Sequence, residues 1–149
     1  MEIVVFIGMQ ASGKSTFFKE RFFNTHIRIN LDMLRTRNRE KILVDACIQA
    51  KQPFVIDNTN PTAEDREKYI TPSREAGFRV IGYYFKSSIE ECIERNRLRS
   101  GKEKVPDVGL RYTHTKLQLP TYDEGFDELY YVHISETKEF VVEEWSNEI

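Results

Sequence analysis

Short runs rich in Val, Ile, Phe and Tyr alternate along the chain with segments of helical periodicity. That alternation is the rhythm of βαβ units around a parallel sheet. The first run, residues 2–7, is almost continuously apolar, as a central strand covered on both faces would be. A helix is predicted from near Lys14, turning Phe17, Phe18 and Phe22 inward. Residues 26–30 read as a second short strand, and 31–51 as mostly helical, with room for an interruption. The run "PFVID" at 53–57 is a third strand that ends in an acid. Thr62 begins a helix with an acid at Asp65, and Gly77 is placed to end it. Residues 78–85 form a fourth strand. Ser87 with Glu90 reads as a capping box for a helix over 88–99, followed by a polar segment at 100–104. Pro106 precedes a helix over 107–117, and 129–134 is a fifth strand. The tail, 138–149, fits strand or helix equally well. The expected architecture is therefore α/β, with a central, mostly parallel sheet of about five strands flanked by helices.

The chain has 149 residues, 40% of them hydrophobic and 31% charged, which suits one domain, 1–149, with a sizeable core. No repeat, low-complexity segment or linker divides it. No apolar run approaches the ~20 residues that span a bilayer, and no signal peptide is recognisable, so no membrane contact and a cytoplasmic location are expected. Cys47 and Cys92 stand alone, without the spacing of a metal or redox motif, and read as reduced core residues. The net charge is −2, but residues 121–149 hold nine acids against Lys138 (−8), leaving the first 120 residues at +6. A locally basic face is thus compatible with an acidic chain.

Chemistry enters at "GMQASGKS", Gly8 to Ser15, which has the spacing of a phosphate-binding loop between a strand and a helix. Gly8 and Gly13 allow the tight turn that aims successive N–H groups at phosphate, and the helix N-terminus adds partial positive charge. Gly8, Ala11, Ser12, Gly13, Lys14, Ser15 and Thr16 are the predicted nucleotide-binding set. Lys14 is expected to reach the β- and γ-phosphates of ATP, and Ser15 to hold Mg²⁺. The fold expected is that of the P-loop kinases, with a helical lid.

Asp57, at the end of a strand, is the candidate second magnesium residue, although "DNTNPT" is also good turn chemistry. Asp32 and Arg35 come after the second strand at i, i+3, on the sheet edge where open α/β folds bind ligands. Asp32 is placed to take a proton from an attacking hydroxyl and Arg35 to clamp an anionic acceptor; a helix-start acid with a surface arginine would look the same. In "ERNRLRSGKEK", Arg95 and Arg99 project together while Arg97 points elsewhere. They read either as lid arginines that stabilise a transferring phosphoryl group or as a solvated basic helix end. His26, His114 and His133 show no nucleophile or metal spacing.

Taken together, "GMQASGKSTF", "INLDMLR", "VIDNTNPTAEDREKY", "ERNRLR", "KVPDVGLRY" and "PTYDEGFDEL" resemble the kinase domain of the 5′-hydroxyl polynucleotide kinases of phage and animals. The similarity runs over most of the chain and is closer to the animal form. The resemblance implies that Asp32 is the general base and Arg35 the acceptor-phosphate clamp. It implies that Arg95 and Arg99 grip the donor phosphates and that Asn58 and Thr59 line the acceptor path. Asp57 stands where the magnesium acid is expected, whereas the phage form has its acid one residue later, at the position of Asn58. ATP as donor, Mg²⁺, and the 5′-hydroxyl end of DNA or RNA as acceptor are implied by the same resemblance, which points to no protein partner. The multifunctional forms also carry a phosphatase or other healing domain, for which these 149 residues leave no room. Two other readings of the residues stay open: a small-molecule kinase acting on a sugar, metabolite or antibiotic hydroxyl, and a nucleotide-binding switch or ATPase with no acceptor.

Overall fold

The computed structural model describes residues 1–146. Six strands form one sheet: β1 (Glu2–Ile7), β2 (Ile27–Ile29), β3 (Phe54–Ile56), β4 (Arg79–Phe85), β5 (Glu128–Ile134) and β6 (Phe140–Glu144). Their order is β2-β3-β1-β4-β5-β6; the first five run parallel, and β6 pairs antiparallel with β5. The sixth strand settles the ambiguous tail in favour of β structure over 140–144; residues 147–149 of that tail lie outside the described residues. The helices are α1 (Lys14–Arg21), α2 (Leu31–Leu34), α3 (Arg37–Ala50), α4 (Ala63–Glu75), α5 (Ile89–Arg97) and α6 (Asp107–Lys116).

Alternation along the central strand sorts the two faces. Ile3, Val5 and Ile7 point to the side where Val44 and Cys47 of α3 and Tyr69 and Ile70 of α4 pack. Val4 and Phe6 point to the other side and meet Phe17 and Phe18 of α1, with Phe22 just beyond it. Both faces of β1 are therefore buried, which is why its sequence is unbroken by polar residues. A smaller cluster of Met9, Ala11, Cys92 and Leu110 anchors α5 and α6 to the loop after β1. Both cysteines are free and buried.

The helical stretch 31–51 is broken where Arg35 takes a left-handed φ of 77° and Thr36 caps α3 by accepting from Arg39 N–H. Arg35 thus stands just past the end of α2, and a turn rather than helical spacing sets its relation to Asp32. The cap of α5 also differs from expectation. Ser88, not Ser87, is the N-cap, and Ser87 is turned inward. α4 ends at Glu75, with Gly77 in the left-handed region (φ 85°) two residues later, as its position in the sequence predicts. Among the described residues no helix is long and apolar enough to cross a membrane.

Chain order reverses at β1, whose neighbours β3 and β4 lead away in opposite directions. The carboxyl ends of β1, β2 and β3 consequently flank one crevice, the place where open α/β sheets bind ligands.

Candidate active site

The loop leaving β1 is tied to its surroundings through its backbone. Gly8 N–H donates to the Thr59 carbonyl (3.0 Å), and Met9 N–H donates to Ser87 Oγ (3.0 Å), whose own hydroxyl donates to the Phe85 carbonyl (2.8 Å). Ser12 Oγ donates to the Met9 carbonyl (2.7 Å). Gly13, at the N-cap of α1, has φ 100°, and a Cβ there would sit 3.0 Å from the Phe140 ring. Only glycine meets both the left-handed backbone and the close approach. Behind it the first-turn amides of α1 lack intrahelical partners and are available to an anion. Ser15 and Thr16, in the first turn of that helix, are both exposed. Lys14 folds back over the loop, its Nζ donating to the carbonyls of Gly8 (3.0 Å) and Met9 (2.6 Å). Burial lowers its pKa to about 8, against the opposing attraction of Asp57.

Beside the loop, Ser15 Oγ donates to Asp57 Oδ2 (3.2 Å). Arg28 Nε donates to the same carboxylate oxygen (2.8 Å), and Arg28 Nη2 donates to Ser15 Oγ (3.0 Å). A hydroxyl and a buried carboxylate at the lip of a phosphate loop are the donor set that magnesium takes, the rest of its shell coming from water and phosphate oxygens. Ser15 and Asp57 therefore fit that ion.

Across the crevice, β2 and β3 hand over to two short segments that hold each other. Asn30 caps α2, accepting from Met33 N–H (2.9 Å), while its Nδ2 donates to the Asp57 carbonyl (2.6 Å). Asn58 Oδ1 accepts from Leu31 N–H (2.8 Å). Asn58 is in turn held by Glu40, a buried acid of α3: Asn58 Nδ2 donates to Glu40 Oε2 (3.0 Å). Tyr69 OH (2.7 Å) and Arg37 Nη1 (3.0 Å) both donate to Glu40 Oε1. Burial, with the Glu40 hydrogen bond, pushes the Tyr69 phenol up and keeps it a donor. Asp32 and Arg35 stand on the short helix and turn that this network fixes, each at least partly open to solvent. The Asp32 charge favours the protonated form of Lys14, more weakly than that of Asp57 does.

Thr59 enters through its backbone, as the acceptor from Gly8. The next residue, Asn60, reaches into the sheet, its Nδ2 donating to the Phe6 carbonyl (2.7 Å). Arg66 of α4, with no exposed surface, forks onto Glu124 through Nε (2.7 Å) and Nη2 (3.1 Å). Its Nη1 donates to the carbonyls of Asn60 (2.9 Å) and Gln118 (3.2 Å). One guanidinium thus joins the turn after β3 to the segment after α6.

The lid side consists of α5 and the polar loop at its carboxyl end. Arg95 Nη1 donates to the Ala11 carbonyl (3.2 Å), and Arg99, which donates to the Glu103 carbonyl (3.2 Å), contributes to the field at Lys14. Arg97 points away and pairs with Glu94. Asn96 closes the base of the polar loop: its Nδ2 donates to the Val105 carbonyl (2.5 Å) and its Oδ1 accepts from Val105 N–H (2.9 Å). Gln10 Nε2 donates to Thr113 Oγ1 (3.0 Å), joining the phosphate loop to α6.

A family model described as an AAA domain matches residues 3–119. The chain belongs to that AAA domain family. It is 32% identical over 132 residues to the bifunctional polynucleotide phosphatase/kinase of Schizosaccharomyces pombe, an alignment covering 84% of this chain and 32% of the relative. The chain therefore spans about a third of that relative's length. Among solved structures, it is similar to Chaetomium thermophilum Kti12 in complex with ADP-AlF3, with a TM-score of 0.64, 16% identity and coverage of 91% of this chain and 92% of the other. A gluconokinase from Sinorhizobium meliloti 1021 gives a TM-score of 0.62 and 18% identity, covering 91% and 83%. These likenesses are of fold, and the fold is that of the P-loop kinases.

Several residues that organise this AAA domain are not singled out by its motifs. Arg66 shares one helix face with Tyr69, Ile70 and Ser73, all buried, so a charge on an apolar stripe was the available signal. Arg28 likewise interrupts a short apolar strand. Ser87 is hidden by its neighbour Ser88, a serviceable cap, and Glu40 and Asn96 carry no sequence signal, because an acid or amide within a helix is ordinarily solvated.

Proposed function

We propose that this AAA domain transfers the γ-phosphate of ATP to the 5′-hydroxyl end of a polynucleotide. The observation that carries this reading is the hydrogen-bonded acceptor wall, in which Glu40 holds Asn58, Asn58 holds the start of α2, and α2 presents Asp32 within the field of Lys14. The name of the fission yeast relative supports the choice of acceptor.

Lys14 releases the loop carbonyls and turns its ammonium to the β- and γ-phosphates, and the first-turn amides of α1 receive the remaining oxygens. Ser15 and Asp57 would hold Mg²⁺, which supplies charge neutralisation at the phosphates when bound. Asp32 accepts the proton of the 5′-hydroxyl as its oxygen forms a bond to the γ-phosphorus, and the bond from that phosphorus to the β–γ bridging oxygen breaks to leave ADP. Arg95 and Arg99 offset the charge on the transferring group, and Arg35 holds an acceptor phosphate, with Asn58 and Thr59 lining its approach.

Asp32→Ala is expected to lower transfer by about 10²–10⁴-fold while leaving ADP affinity nearly unchanged. Labelled γ-phosphate transfer to 5′-hydroxyl DNA and RNA oligonucleotides, run beside gluconate and free nucleosides, tests the function. Label on a small molecule and on no oligonucleotide would replace the acceptor; turnover of ATP with no labelled product would favour an ATPase.

A further inference from the structure

The polar residue that stands out on the sheet is Arg28. In register it lies opposite Val55, which is itself opposite Val4, so its side chain leaves β2 on the apolar face packed by α1. Alternation would be satisfied there by another valine. Instead the guanidinium runs to the carboxyl end of the sheet and closes a triangle: Arg28 Nε to Asp57 Oδ2 (2.8 Å), Arg28 Nη2 to Ser15 Oγ (3.0 Å), Ser15 Oγ to Asp57 Oδ2 (3.2 Å). The Asp57 side chain is 1% exposed and that of Arg28 29%. The two oxygens that fit magnesium are therefore already served by a cation, and that cation keeps a route to solvent.

We infer that Arg28 is the resident counter-ion of the metal site and that Mg²⁺ enters by displacing it. The inference rests on the reading of the loop as a magnesium–nucleotide site. Ser15 Oγ keeps a second lone pair for a divalent ion, but the charge placed there faces the Arg28 guanidinium whose Nη2 donates to the same oxygen, and repulsion breaks that hydrogen bond. The guanidinium then sits a few ångströms from a like charge and swings outward, still able to touch Asp57 through Nε. Without metal, Arg28 gives the buried Asp57 carboxylate its ion-pair contact, beside the Ser15 hydrogen bond. With metal, the displacement works against binding, so the ion is held well only when phosphate oxygens complete its shell. Arg28 is in this sense a positioning residue: it makes the site select the metal–nucleotide complex over the free ion.

The test is calorimetric titration of ADP into the protein at graded free Mg²⁺, for the wild type, Arg28→Gln and Arg28→Lys. Arg28→Gln removes the charge and is expected to lower the half-saturating Mg²⁺ by about tenfold, the scale on which outer-shell groups tune metal affinity. Arg28→Lys keeps the charge but not the two-pronged contact, and is expected to fall between the wild type and Arg28→Gln. In chelator, Arg28→Gln should melt below the wild type, and Mg²⁺ with ADP should narrow the gap. An unchanged Mg²⁺ dependence in Arg28→Gln, or an Arg28→Lys protein that behaves like Arg28→Gln, overturns the displacement while leaving the nucleotide site intact. Absence of ADP binding by the wild type at every Mg²⁺ concentration would instead remove the nucleotide reading, and this inference with it.

Discussion

Lys14 carries opposite demands at one atom. Its ammonium is buried against two carbonyls, and its pKa lies at about 8 where a free lysine has 10.5. The unfolded chain therefore holds this proton more tightly than the fold does, and the cost of burying the charge is fully present below about pH 8. That cost is relieved between about pH 8 and 10.5, so this residue's contribution to stability rises with pH across the window. Phosphate binding runs the other way, because only the charged form attracts the nucleotide. ADP affinity is expected to fall as pH rises through about 8, and at about pH 8.5 binding should draw a proton from solution. Titrations in buffers of different ionisation enthalpy measure that uptake, and Lys14→Met should abolish it.

At the scale of elements, the turn between β3 and α4 does more than "DNTNPT" discloses. Its motif was legible as turn chemistry, because Asn, Asp and Pro have strong local preferences, whereas a place along an acceptor path was implied only by the resemblance to polynucleotide kinases. What holds it was not legible, since Glu40 and Glu124 are remote in sequence and Arg66, though only six residues beyond Asn60, reveals itself only through burial. Arg66 is the sharper case: its fork on Glu124 and its bonds to the Asn60 and Gln118 carbonyls leave none of its surface exposed. Arg66→Met would leave the Asn60 and Gln118 carbonyls without this donor and Glu124 with the Thr121 N–H in place of an ion pair. A loss of about 3–5 kcal/mol is expected from urea unfolding, as for other broken buried pairs. Helix boundaries tracked the caps closely, and the one displaced cap, Ser88 for Ser87, reflects a serine recruited by the phosphate loop instead.

For the whole molecule, the alternating pattern was enough to predict a mostly parallel α/β sheet, because a strand covered on both faces leaves an unmistakable apolar run. The order of the strands and the antiparallel β6 were not in that pattern; they depend on which faces pack, as when Phe140 closes over Gly13. Charge is also a property of the whole: the net value of −2 hides the opposite balances of the first 120 residues and the rest. If the acceptor is a polynucleotide end gripped at only a few phosphates, its affinity should weaken modestly with salt. A log–log slope of about −1 to −2 is expected for single strands in fluorescence titrations, far shallower than for a protein that tracks the backbone. The Gly8–Thr59 hydrogen bond, finally, ties the phosphate loop to the turn after β3, the segment proposed to line the acceptor path. If both substrates bind there as proposed, each is expected to order the shared hydrogen bond for the other, so they should bind with positive synergy and in either order, each lowering the dissociation constant of its partner.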